Sequence, residues 1–386
     1  MTDTSAIQAW RRGIRVVGPL CAWMTWAGSG HAVAASLPEP RPEAVALIAE
    51  LGLPESPTPS RELPGWRPPT KIAVAFADEE QLARLRAAVP GVELVAIGRE
   101  SPLAQQVKDV QAVVGVCSAE VLEAAPGLHW IQILSVGAER CVAVPGLAGR
   151  DIVLTNLQRT SAVPIAEHAI AMMMSLARGL PYYGRAQQAG LWQRDAADRP
   201  GVREIGGRTL LVVGLGGIGT EVARRAQALG MQVIAIRNSR REGPGFVAEV
   251  GLPADLHAFA RRADVVVSAL PLTPETTGLF DEAFFRAMKP GGWFINVGRG
   301  RSVVTDALLA ALDDGRLAGA GLDVTDPEPL PKGHRLWSQP NVIITPHIAA
   351  SSDTQGERYW ILVAENLRRY AAGEPLLNVV DIARGY

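Results

Sequence analysis

From Lys71 to its end the chain repeats one arrangement: a short apolar run, a polar stretch at helical spacing, then another apolar run. Lys71–Phe76, Val92–Ile97, Ala112–Val116 and Trp130–Leu134 read as strands, and Glu79–Ala88 reads as a helix. Further strands fall at 210–213, Gln232–Ile236, Val265–Leu270, Trp293–Val297, Gly319–Asp323 and Val342–Thr345. Ile165–Arg178 is a long apolar helix and Glu357–Ala372 a terminal one. Uninterrupted apolar runs suit strands covered on both faces, as in a parallel sheet between helices. The two alternating halves predict an α/β protein of two doubly wound parallel-sheet domains facing a cleft. Within the long helix, Met172-Met173-Met174 predicts core or a subunit contact.

The sharpest break in this pattern follows the run Leu210-Leu211-Val212-Val213. Gly214, Gly216 and Gly219 stand there at the G-x-G-x-x-G spacing, with Gly217 and Ile218 opening a helix. Such a turn brings backbone N–H groups and a helix N-terminus up to a pyrophosphate. Gly214 permits the tight turn, Gly216 lets phosphate approach the backbone, and Gly219 lets the helix pack on the strand. Glycine-rich turns are common, so the spacing alone is weak. Its position between a buried strand and a helical repeat makes it a dinucleotide site.

A dinucleotide site needs a ribose-reading residue at the end of the next strand. An acid there would bind the 2′-hydroxyl of NAD. The sequence has Ile236-Arg237-Asn238-Ser239-Arg240-Arg241 instead. Arginine is suited to a 2′-phosphate, so the segment predicts a preference for NADP(H), with NAD(H) as the weaker cofactor.

Composition removes several other functions. The 386 residues carry a formal net charge of −1, which gives no electrostatic case for nucleic acid. No apolar stretch is long enough for a stable membrane span. Cys21, Cys117 and Cys141 have no C-x-x-C spacing, and the six histidines form no H-E-x-x-H pair. Neither a metal site nor a disulfide framework is expected.

The first seventy residues differ from the rest. Arg11, Arg12 and Arg15 precede an uncharged stretch and then Ala32-Val33-Ala34. That succession predicts a signal peptide over 1–34 and export to the periplasm, with cytoplasmic retention as the alternative. The adjacent Arg11-Arg12 allows a twin-arginine route, which exports folded protein. Residues 35–70 are proline-dense and read as a linker or wrapping arm, with one short helix at Glu43–Leu51.

Three polar residues follow buried strands in the second half: Arg299, Glu328 and His347. Open α/β sheets bind ligands at these carboxyl ends. A guanidinium can clamp the carboxylate of a 2-oxo acid. An imidazole can supply the proton that accompanies a hydride. A carboxylate can hold that imidazole in one tautomer and favour its charged form. Taken singly, each has an ordinary reading as a surface or loop residue.

Together these segments resemble the D-isomer-specific 2-hydroxyacid dehydrogenases, from about Trp130 to Ser352. Trp130-Ile131-Gln132 with Ser135-Val136-Gly137 is similar to the family's substrate-carboxylate loop. Thr155-Asn156-Leu157 and Ala166-Glu167-His168-Ala169 resemble its interdomain segment. Leu270-Pro271-Leu272-Thr273-Pro274-Glu275-Thr276 resembles the adenine-side loop. Asn296-Val297-Gly298-Arg299-Gly300 is similar to the catalytic arginine motif, with Gly298 where many members have Ala or Ser. Glu328-Pro329 and Pro346-His347-Ile348 resemble the acid and histidine motifs.

The resemblance implies that Arg299, Glu328 and His347 form the triad, with Glu328 chosen over the nearby Asp326. It implies that Ser135, Val136 and Gly137 bind the substrate carboxylate together with Arg299 and His347. Gly214, Gly216, Gly217, Ile218, Gly219, Arg237, Asn238, Ser239 and Arg240 would hold the cofactor. Leu270, Pro271, Thr276, Val297, Gly298, Arg299 and His347 would complete that site, and Asp323 would face the nicotinamide carboxamide. The implied architecture is a Rossmann-type NAD(P)-binding domain, 168–347, inserted in a flavodoxin-like substrate domain, 71–167 and 348–386. A homodimer is expected.

The expected activity is reduction of a small 2-oxo acid of the glyoxylate or hydroxypyruvate type. Formate oxidation on the same fold uses Gln where Glu328 stands. A nucleotide-sensing regulator or corepressor on this fold is the alternative from a different class; intact Arg299, Glu328 and His347 argue against it.

Overall fold

The structure is a computed structural model that describes residues 37–192, 194 and 201–385. The segment read as a signal, 1–34, lies outside the described residues. Fourteen strands are present among them: β1 (Glu55–Pro59), β2 (Lys71–Val74), β3 (Glu93–Ala96), β4 (Ala112–Val114), β5 (Trp130–Gln132), β6 (Val153–Thr155), β7 (Thr209–Val213), β8 (Gln232–Ile236), β9 (Glu249–Gly251), β10 (Val265–Ser268), β11 (Gly292–Asn296), β12 (Leu317–Leu322), β13 (Val342–Ile344) and β14 (Pro375–Leu377).

Seven of them make one parallel sheet in the order β13-β12-β11-β10-β7-β8-β9. Strand order reverses between β7 and β10, so the glycine turn after β7 lies at the topological switch point. Leu210, Leu211, Val212, Val265, Val266 and Val267 are fully buried, because helices cover both faces. One face carries the crossover helix Ala162–Ala177 and the helix Gly217–Ala228. The other carries Phe280, Phe284, Phe285 and Phe294, packed edge to face.

The second sheet is smaller, also parallel, and ordered β3-β2-β4-β5-β6. This is the flavodoxin-like order. The terminal helix Gln355–Ala372 returns to it and buries Trp360, Leu362, Val363, Leu367 and Tyr370 against β2 and β4.

Residues 37–70 wrap that second domain. The helix Pro42–Leu51 buries Ala44 and Leu47 in the same core as the terminal helix. β1 pairs antiparallel with β14. Trp66 Nε1 donates to Tyr370 O, and Arg369 bonds Glu55. Of the two expectations, linker or wrapping arm, the arm is what forms.

Several element ends differ from the sequence expectation. The first strand stops at Val74, since Phe76 takes φ 62 and is 78% exposed. Strands expected to reach Val116, Leu134 and Leu270 end at Val114, Gln132 and Ser268. Apolar residues continue past each strand as loop, which periodicity does not register. β6 and β9, three residues each, carry too little pattern to be seen. The crossover helix begins at Ala162 and packs on the larger sheet, so a domain boundary at 167–168 falls inside it.

One expectation is overturned. Cys117 and Cys141 form a disulfide, with Cα atoms 5.5 Å apart. Cys117 follows β4, and Cys141 lies on the short helix Glu139–Val142 after the neighbouring β5. Strand adjacency brings them together across 24 residues, a separation that no local motif shows.

Candidate active site

The glycine turn is built as its spacing requires. Gly214 has φ +101, and a Cβ there would lie 2.8 Å from Ala269 O. A Cβ on Gly219 would run into Gly214 O. Gly216 faces open space. No side chain caps the helix that starts at Gly217, so its first N–H groups stay available to an anion. This set of open, forward-pointing donors fits a dinucleotide pyrophosphate.

Arg237 lies just beyond β8 and donates to Glu242 O at 3.0 Å. Burial, and then the like charge of Arg240, hold its pKa below the ordinary guanidinium range. A phosphate between the two would relieve that repulsion. Ser239 and Arg240 are exposed, as is Asn238. Arg241 pairs with Asp255 at 2.8 Å instead.

Beyond β10 of the same sheet, Thr276 Oγ1 donates to Pro271 O at 2.8 Å and fixes the 270–276 loop. That loop explains Gly298. A Cβ at 298 would lie 2.8 Å from Leu270 O, so the Ala or Ser of other members does not fit here. Val297 is buried beneath the same turn.

His347 and Glu328 meet directly: Nδ1 and Oε1 are 2.8 Å apart. His347 stands at φ 55, a left-handed conformation that non-glycine residues adopt at a cost. Its backbone is held by N–H donation to Asp323 O at 2.8 Å. Asp323 is itself buried. Its carboxylate accepts from Thr345 Oγ1, Ile348 N and Ala349 N at 2.7, 2.9 and 3.1 Å. Thr345 spends its one proton on Asp323, so His168 Nε2, 2.9 Å from Thr345 Oγ1, must be the donor to it. Asp323 thus anchors the histidine loop.

Arg299 reaches the opposite wall. Its Nε donates to Glu139 Oε1 at 2.8 Å and its Nη1 to Gly298 O at 2.8 Å. The guanidinium passes over Gly137, where a Cβ would collide with it. Ser135 Oγ donates to Gly137 O at 2.8 Å, and Asn156 Nδ2 donates to Val136 O at 2.7 Å. Among the described residues no backbone carbonyl accepts from the N–H of Val136 or Gly137. Two open N–H groups beside a guanidinium make a carboxylate cradle. Glu139, Asn156 and His168 were not foreseen as site residues. Asn156 and His168 lie within the segments that resemble the family's interdomain stretch, and Glu139 lies two residues past the Ser135-Val136-Gly137 loop. No cluster of metal ligands occurs among the described residues.

A phosphate-binding turn at a switch point, opposite an arginine and a carboxylate-held imidazole, is the construction of a dinucleotide-dependent dehydrogenase. The profile described as "D-isomer specific 2-hydroxyacid dehydrogenase, NAD binding domain" matches residues 170–349. The glyoxylate reductase of Korarchaeum cryptofilum is 35% identical over 285 residues, which is 72% of this chain and 84% of that one. Two solved structures superpose on it well. One is a D-isomer specific 2-hydroxyacid dehydrogenase from Xanthobacter autotrophicus in complex with NADPH and MES. Its TM-score is 0.71 at 29% identity, over 83% of this chain and all of that one. The other is an NADPH-dependent glyoxylate/hydroxypyruvate reductase from Sinorhizobium meliloti in complex with NADP and sulfate. Its TM-score is 0.69 at 32% identity, over 82% and 100% of the two chains. The chain belongs to the D-isomer specific 2-hydroxyacid dehydrogenase family, and its activity is that of an NAD(P)-dependent 2-hydroxyacid dehydrogenase.

Proposed function

We propose that this protein is an NADP(H)-preferring reductase of small 2-oxo acids, glyoxylate or hydroxypyruvate, with Arg299, Glu328 and His347 as its catalytic residues. The observation that carries the proposal is the 2.8 Å pair of His347 and Glu328 beyond the ends of β12 and β13. Arg299 and the N–H groups of Val136 and Gly137 bind the substrate carboxylate and hold the carbonyl in one orientation. Protonated His347 gives its proton to the carbonyl oxygen as the alkoxide forms. Glu328 fixes the imidazole by its Nδ1 side, which leaves Nε2 for the substrate. A bound reduced nicotinamide supplies the hydride. Gly298 lets the 270–276 loop pack against the turn that carries Arg299.

The preference for NADP(H) is supported by Arg237 and Arg240 at the end of β8. The NADPH and NADP bound in the two solved relatives fit the same reading. The substrate class is supported by the glyoxylate reductases of similar length. Absorbance of NADPH and NADH, followed with a panel of 2-oxo acids, tests both. Equal kcat/KM with the two cofactors removes the NADP preference, and absence of turnover with every 2-oxo acid removes the enzyme reading.

Two further parts of the proposal concern assembly and place. Leu180, Leu191 and Trp192 are exposed, Trp192 to 96%. An apolar edge of this kind supports a homodimer, and light scattering on the purified protein decides it. The Cys117–Cys141 disulfide supports an oxidising compartment, in keeping with export. Mass spectrometry of the N-terminus from the native host decides that, and an uncleaved terminus in the cytoplasm sinks it.

A further inference from the structure

Arg159 lies in the first crossing between the domains, in the stretch Asn156-Leu157-Gln158-Arg159-Thr160-Ser161. Its neighbours Asn156, Thr160 and Ser161 are buried, so the crossing has little freedom to move. Arg159 itself takes φ 71, one of five non-glycine residues at positive φ among the described residues. His347 is another. Such backbones persist only where their surroundings dictate them.

Three things meet at this arginine. Its stem covers Gly217, the first residue of the helix after the glycine turn: a Cβ at 217 would lie 2.9 Å from Arg159 Cγ. Arg159 therefore fills the space that a side chain at 217 would take. Its Nη1 donates to Leu51 O at 3.2 Å, at the C-terminal end of the arm helix, where carbonyl dipoles favour a cation. Among the described residues this is the guanidinium's one hydrogen bond, and it has no ion pair. Its other N–H groups have no hydrogen-bond partner among the described residues, and its stem lies against the first residue of the helix expected to receive pyrophosphate.

We propose that Arg159 is a pyrophosphate-binding residue, held over the glycine turn by the N-terminal arm. The proposal rests on the dinucleotide reading of that turn. It gives the arm a role in cofactor binding beyond covering the second domain: Leu51 O anchors one edge of the guanidinium, and the remaining edge is left for the phosphates. The contact is distinct from the Arg237 and Arg240 pair, which addresses the 2′-phosphate at the far end of the adenosine.

Direct binding, measured by calorimetry without turnover, separates the two. The probes are NADPH, ADP-ribose, which has the pyrophosphate but no 2′-phosphate, and adenosine 2′-monophosphate, which has the reverse. Removing a charge-assisted bond gives about a tenfold loss. Arg159→Gln should weaken NADPH and ADP-ribose about tenfold and leave adenosine 2′-monophosphate unchanged, and Arg159→Lys should recover part of the loss. An unchanged affinity for ADP-ribose overturns the proposal, as does an equal loss for all three probes. If the unmodified protein binds neither NADPH nor ADP-ribose, the dinucleotide reading fails first and takes this proposal with it.

Discussion

The two parallel sheets obey one building rule but are stabilised differently. The seven-stranded sheet is held from within. Its central strands are fully buried, its two faces carry separate apolar cores, and a cluster of phenylalanines fills one of them. The five-stranded sheet has strands of only three or four residues and is braced from outside. The arm helix, the β1–β14 pair, a disulfide and a network among Glu365, Arg368, Arg369, Glu374 and Glu55 all bear on it. Short strands bury less apolar surface per strand, so cross-links and charge pairs matter more there. The proposed active site takes one wall from each, which makes the comparison testable by function and by stability.

The largest effect belongs to the wall supplied by the seven-stranded sheet. His347→Ala removes the proton donor and should cut kcat by roughly 10²–10⁴-fold, with the fold unchanged by circular dichroism. A variant that retains most of its kcat shows that this wall does not carry the acid. Glu328→Gln replaces the carboxylate that holds His347 Nδ1 at 2.8 Å and should lower kcat with little change in KM. If Asp326→Asn lowered kcat and Glu328→Gln did not, Asp326 would be the acid.

Next comes the bracing itself. Replacing Cys117 and Cys141 by Ser opens a loop of 24 residues, and loop-closure entropy puts the loss at about 3 kcal/mol. Hydrogen exchange should quicken over β2–β6 and stay slow over β7 and β10. Uniform quickening across both sheets would show that the disulfide does not brace the smaller sheet in particular.

Cofactor choice follows. Arg237→Asp introduces the acid that a 2′-hydroxyl needs and removes the proposed partner of the 2′-phosphate. NADPH should lose about tenfold or more in kcat/KM relative to NADH. An unchanged ratio shows that Arg240 and its neighbours suffice without Arg237.

The smallest effect concerns Glu374. Its hydrogen bonds from Arg368 hold its carboxyl below the ordinary carboxylate range. A depressed carboxylate adds stability that is complete above the ordinary range and is lost as pH falls through the lowered value. Glu374 is partly solvated, so Glu374→Gln should cost about 1 kcal/mol or less at neutral pH. Denaturant unfolding of the variant should show a shallower acid limb; an unaltered limb means that the pair stabilises nothing.

Much of this molecule was legible along the chain. Apolar runs gave the positions of most strands, and the G-x-G-x-x-G spacing located the phosphate turn, because both are local consequences of backbone geometry. Arg299, Glu328 and His347 stood out because polar residues straight after buried strands mark the open end of a parallel sheet. Other features have no local signature. The Cys117–Cys141 bond, the grip of Glu139 on Arg299 and the donation of His168 to Thr345 join residues 24, 160 and 177 positions apart. The missing room at Gly298 and the placing of Arg159 over Gly217 are equally non-local. Sequence determined which segments become strands and turns, since periodicity and glycine spacing act within a few residues. Tertiary structure alone decided which side chains share the cleft and which one satisfies another, since hydrogen bonds and steric room depend on how the sheets and the arm pack.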